Sequence, residues 1–110
     1  MKSYLKDIER FYLMKKFDSN PRVDTVTMVI KVIEHGKGGR TEVTSIIPFG
    51  ITRSTMRTDE YSSLDEVRSL METPGSEFNF GNGEFPQSAS RQAILAWADK
   101  FSHFDIEKMI

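Results

Sequence analysis

Few residues of this chain are of types that do chemistry, and their spacing limits what they could do. His35 is one of two histidines among 110 residues, and it stands beside Glu34 with Lys37 and Arg40 close behind. A histidine, a carboxylate and an arginine around a scissile phosphate can move protons near neutral pH, as in some small nucleases. Here they are neighbours in sequence only, at what reads as a hairpin tip where polar residues gather for solvation, and geometry rather than adjacency makes a site. Gly36-Lys37-Gly38-Gly39 has the composition of a phosphate loop but neither its glycine spacing nor the helix that must follow it. A strand pattern follows instead, so the segment reads as a turn. Asp99 and His103 would share one face of a helix, as a surface pair or half of a metal site. The chain has no cysteine, so a complete zinc shell would need carboxylates from elsewhere. No Gly-x-Ser-x-Gly elbow or Ser-x-x-Lys pattern in a suitable context occurs. The residues therefore predict a protein that is not an enzyme, with no catalytic set, no metal and no cofactor.

Binding is the remaining class of function. Lys31, Lys37, Arg40, Arg53 and Arg57 lie on or near the strands expected in the first half, and a nucleic acid could use them to neutralise phosphates. Base stacking on a sheet also needs exposed aromatics, and the central strands have none before Phe49. A helix–strand–strand–strand–helix order occurs in double-stranded RNA-binding domains. Their basic motif is missing here, where Ser88-Ala89-Ser90-Arg91-Gln92-Ala93 opens the last helix. Nucleic-acid binding is the alternative reading.

The aromatics point elsewhere. Twelve of the 110 residues are Phe, Tyr or Trp, and seven of them follow residue 60. Phe78, Phe80 and Phe85 crowd a turn-rich stretch with Glu77 and Glu84, and Asp59 and Glu60 precede it. Small domains use most apolar side chains as core, but clustered aromatics that stay exposed mark protein interfaces. Phe17, Met14, Phe104, Met109 and Ile110 could extend such a surface or form a homodimer contact. The first reading is thus a protein–protein interaction module using Phe78, Phe80, Phe85, Glu77, Glu84, Asp59 and Glu60. A small accessory or inhibitor protein, for example of a mobile element, would fit that description.

These residues need elements to position them. Ser3 to Phe17 is expected to be a helix, because Leu5, Ile8 and Tyr12 recur at helical spacing with Tyr4 and Phe11 on the flank. Its apolar set also holds Leu13, Met14 and Phe17, more than one stripe requires. Val23 to Glu34 is expected to be a strand with Val26, Met28, Ile30 and Val32 on one face. A glycine-rich reversal leads to a return strand, Thr41 to Phe49, which Pro48 places at an edge or gives a bulged end. Ile51 to Arg57 suggests a short third strand. Ser63 to Thr73 is expected to be a helix, with Ser63 and Glu66 matching the capping box and Leu64, Val67, Leu70 and Met71 forming its buried stripe. Glu77 to Pro86 reads as a small hairpin or ordered loop, and a last helix begins at Ser88 or Ser90 and runs to about His103. The order predicts one α+β domain over residues 1–110: a small antiparallel sheet of two to four strands with about three helices packed mainly on one face.

Composition agrees with one globular domain: 38% of residues are apolar and 28% charged. The longest unbroken apolar run is Ala93 to Ala98, too short for a membrane span or a signal-peptide core. A cytoplasmic protein with no membrane partner is expected. The net charge of −1 conceals an asymmetry: residues 1–58 carry eleven Lys and Arg against six Asp and Glu, and residues 59–110 carry four against ten. Such halves either pair across a seam or present two faces of opposite sign.

Overall fold

The computed structural model describes residues 7–17, 24–36, 39–49, 53–81 and 86–98. They form one antiparallel sheet of five strands with two short helices. The strands are β1 (Ile8–Phe17), β2 (Asp24–Glu34), β3 (Thr41–Phe49), β4 (Arg53–Tyr61) and β5 (Pro86–Ala89); the helices are α1 (Leu64–Glu72) and α2 (Arg91–Ala98). The sheet order is β4-β3-β2-β1-β5. This corrects the expectation of two to four strands carrying about three helices on one face.

The first correction is at the N-terminus. Residues 8–17 form a strand, not a helix, pairing with β2 from Ile8 opposite Glu34 to Phe17 opposite Asp24. Phe11, Tyr12, Leu13 and Met14 are all buried, with Tyr12 and Met14 in one core cluster and Phe11 and Leu13 in another. A strand covered on both faces shows a continuous apolar run rather than alternation. That run is the surplus that no single helical stripe could absorb.

The second correction concerns the layers. α1 contributes Leu64, Val67 and Met71 to the cluster that holds Tyr12, Met14, Met28, Ile30, Val32, Val43 and Phe78. α2 places Ile94 with Phe11, Leu13, Val26, Val29 and Ile46. The helices therefore sit on opposite faces of the sheet, each sealing its own core.

A bulge sets these faces. Met14 lies opposite Met28 but Lys15 opposite Val26, so Thr27 is an extra residue on β2. The Thr27 hydroxyl donates to the Met14 carbonyl at 3.2 Å. The extra residue reverses the alternation, so Val26 joins Val29 rather than Met28, Ile30 and Val32. Pro48 is accommodated in a strand that is not an edge. The ladder between β2 and β3 runs from Val29 opposite Ile46 to Glu34 opposite Thr41, and Pro48 lies beyond it. The third strand is displaced from the expected Ile51–Arg57 to Arg53–Tyr61, and it forms the edge.

α1 begins as expected at Ser63, whose Oγ accepts from the Glu66 N–H at 3.2 Å. The capping box is not reciprocal, because the Glu66 carboxylate accepts from the Ser62 hydroxyl instead. α2 opens at Ser90, whose Oγ accepts from the Ala93 N–H at 3.0 Å. Of the expected Glu77–Pro86 hairpin, the described part is a tight turn bridged between Ser76 and Asn79, and the chain then re-enters the sheet as β5 against β1. The continuation of the last helix towards His103 lies outside the described residues, as do Asp99 and the other positions 99–110. Among the described residues, no helix is long and apolar enough to cross a membrane.

Candidate functional site

The groove of interest is assembled on the α1 face of the sheet at the β4 end. β4 pairs with β3 in an unbroken register. Thr55, Arg57 and Asp59 stand opposite Ile47, Ser45 and Val43, and Tyr61 stands opposite Thr41. Thr55, Arg57 and Asp59 line the groove with Met28, Ser45 and Ile47, and Glu77, Phe78 and Phe80 form its far wall. Its volume is about 360 Å³, near the lower end of ordinary ligand pockets.

The wall is fixed by bonds at the end of α1. The buried side chain of Asn79 donates to the Met71 carbonyl at 2.8 Å and accepts from the Gly81 N–H at 3.0 Å. The Gly75 N–H donates to the Asn79 carbonyl at 2.7 Å. The Ser76 hydroxyl donates to the Leu70 carbonyl and the Thr73 N–H to the same oxygen at 3.2 Å. These satisfy carbonyls that a helix end leaves unpaired. Gly75 has φ 86°, a left-handed conformation that glycine adopts without steric penalty.

Phe78 and Phe80 have different fates. Phe78 is 3% exposed and its ring centroid is 5.7 Å from that of Tyr61, so it belongs to the core. Phe80 is 43% exposed at the groove's rim. The Tyr61 hydroxyl donates to Glu77 Oε1 at 2.8 Å, tying β4 to the turn. Burial, followed by the Glu77 hydrogen bond and the nearby Glu77 and Asp59 charges, raises the Tyr61 phenol well above its usual ionisation range.

The proposed interface residues are thus only partly brought together. Glu77, Phe78, Phe80 and Asp59 converge on the groove. Glu60, next to Asp59 on a strand, occupies the other face and pairs with Arg40 at 2.6 Å. Phe85 and Glu84 lie outside the described residues. Met14 is fully buried, which removes it as a surface contact, and Phe104, Met109 and Ile110 lie outside the described residues. The groove residues Thr55, Arg57, Ser45 and Ile47 were not singled out for this site by sequence, since their role depends on the β3–β4 register. Met56, 57% exposed on the other face of β4, had no sequence signal either.

The basic set does not converge. Arg57 lies in the groove with its Nε 2.5 Å from Asp59 Oδ2. Lys31 is half-buried on β2 opposite Phe11, whose side chain packs on the α2 face. Arg40 pairs with Glu60, Arg53 opens β4, and Lys37 lies outside the described residues. Arg40–Glu60 joins the basic half to the acidic half, and Arg57–Asp59 is a local pair on β4.

His35 is held at the hairpin by Asp7 Oδ2, 3.2 Å from its Nδ1, and its Nε2 is 3.9 Å from Glu42 Oε2. The Gly36 N–H donates to the other Asp7 oxygen at 3.2 Å, and the His35 N–H to the Arg40 carbonyl at 3.0 Å. Glu34, the carboxylate expected beside it, is engaged by Arg10. The arrangement closes a turn. Among the described residues, no three His, Asp or Glu side chains gather as a metal shell. Comparison with protein-family models, curated proteins and solved structures found no match.

Proposed function

We propose that this protein is a non-enzymatic module that binds another protein through the groove between the Glu77–Phe80 turn and the β3–β4 face. One observation carries the reading: Phe80 stays 43% exposed at the rim of a groove lined by Met28, Ile47 and buried Phe78. An exposed aromatic beside an apolar recess is the usual anchor arrangement of an interface. Glu77 adds negative charge beside Phe80, while Asp59 is paired with Arg57, so the fitting ligand is a segment with an apolar side chain flanked by a basic one. A cytoplasmic accessory or inhibitor protein is the role this suits. The nucleic-acid alternative gains no support, because Arg40 and Arg57 are each engaged by a carboxylate.

The test is a tagged pull-down from source-cell lysate, with and without nuclease, using wild type, Phe80→Ser and, as a control on the opposite face, Met56→Ser. A stoichiometric protein that survives nuclease, is retained by Met56→Ser and is lost with Phe80→Ser is the expected result. Retention by folded Phe80→Ser, or capture that vanishes with nuclease, refutes the reading.

A further inference from the structure

We infer that β4 pairs with β4 of a second copy of the chain, antiparallel and centred on Thr58, so that two sheets continue into one. The inference shares Arg57 and Asp59 with the groove but rests on the strand's backbone edge rather than on Phe80, and it is read by self-association rather than by partner capture.

The two ends of the sheet are unlike. β5 is four residues long and starts with Pro86, and short strands and proline are both devices that blunt an edge. β4 is nine residues long, Arg53-Ser54-Thr55-Met56-Arg57-Thr58-Asp59-Glu60-Tyr61, without proline or glycine. β3 covers one side of it along its whole length. Among the described residues, no strand pairs with its other side. A strand of this length leaves alternate N–H and C=O groups pointing outward over roughly 30 Å, a template for another strand.

Charge decides which strand fits. Arg57 and Asp59 lie on the same face, in contact at 2.5 Å, with side-chain exposures of 67% and 35%. With the twofold axis through Thr58, Arg57 faces Asp59 of the second copy and Asp59 faces its Arg57. The four groups then alternate in sign around a square, and each is flanked by two opposite charges. Thr58 meets its own copy, Met56 faces Glu60, and Thr55 faces Tyr61. Centring on Arg57 sets two arginines opposite each other, and centring on Asp59 sets two aspartates. Centring on Met56 sets Asp59 opposite Arg53 of the second copy but leaves Arg57 opposite Thr55, so the square of four charges stays open. Directly opposed like charges destabilise a strand pair and unlike charges stabilise it. The same charges disfavour an arbitrary strand and favour this self-complementary one, which is an isologous contact that closes at two copies.

The experiment is sedimentation equilibrium over a concentration series, with folding checked by circular dichroism. Wild type is expected to dimerise. Arg57→Asp and Asp59→Arg each place like charges opposite each other twice and weaken self-association roughly tenfold or more. Mixed together, these two variants regain opposite charges at both positions and form a heterodimer. If either single variant fails to fold, the swap R57D/D59R keeps the pair within each chain. It is expected to dimerise with itself but not to exchange with mass-tagged wild type. A wild type that stays monomeric overturns the inference. So do single variants that dimerise like wild type, a mixture without heterodimer, or a swap that exchanges freely with wild type.

Discussion

The Tyr61 hydroxyl donates to Glu77 Oε1 across 2.8 Å, and this one bond joins the end of the edge strand to the turn that carries Phe78 and Phe80. The ring beneath it stacks obliquely on Phe78, 59° between planes. Strand, turn and core are thereby held at one point, which fixes the width of the groove.

That relationship has a pH signature. Tyr61 ionises above its usual value of 10.0 because burial, the bond to Glu77 and the neighbouring carboxylate charges all oppose the phenolate. The native state thus holds its proton at pH values where the unfolded chain has lost it. The contribution is fully present below the unfolded value and declines as pH rises above it. Spectrophotometric titration should show one tyrosine ionising late, and thermal stability should fall above about pH 10. In Tyr61→Phe the late transition disappears, the alkaline decline becomes shallower, and stability at neutral pH drops by about 1 kcal/mol or less.

Phe78 and Phe80, two positions apart, should behave oppositely. Phe78→Ala opens a cavity in the α1 core and should cost about 3–5 kcal/mol. Phe80→Ala removes a half-exposed ring and should change stability by less than about 1 kcal/mol. Urea unfolding of the two variants measures the contrast, and equal losses would contradict the assigned orientations.

The sequence patterns most clearly legible were those that need only local chemistry. Ser63 capping α1, the β2 and β3 hairpin and the stripe Leu64-Val67-Met71 all depend on neighbours within a few residues. What misled was coverage. Leu5, Ile8 and Tyr12 carry helical spacing by coincidence, and only the presence of helices on both faces explains the run Phe11 to Met14 as a doubly buried strand. The bulge at Thr27 was illegible for a related reason, since it is defined by the partner strand. Phe78 and Phe80 crowd one stretch of sequence, but the burial of the first and the half-exposure of the second are decided around Asn79, a residue with no motif around it. The groove's other wall, Arg57 and Asp59, exists only through the β3–β4 register.

Asn79 is accordingly a sharp test of how the turn is built. Its buried amide caps the Met71 carbonyl at 2.8 Å and accepts from the Gly81 N–H. Asn79→Ala strands both groups and should destabilise by about 1–3 kcal/mol. Asn79→Asp replaces the donating amide with an acceptor facing that carbonyl, so it should be at least as damaging at neutral pH. Chemical denaturation of the two variants checks the order.

The two-faced core gives a final expectation. Val67 and Ile94 are both fully buried, one under α1 and the other under α2, with the sheet between them. Ile94→Ala should cost about 2–5 kcal/mol and Val67→Ala somewhat less, each through a cavity that its neighbours fill only in part. Residues that share no neighbours add their effects to within about 0.5 kcal/mol. The double variant should therefore lose the sum, measured by urea unfolding at a low enough temperature to keep it folded. A loss well below the sum would mean that the two cores yield together, as they would if both helices packed on one face. Additivity is what a sheet lying between two separate clusters requires.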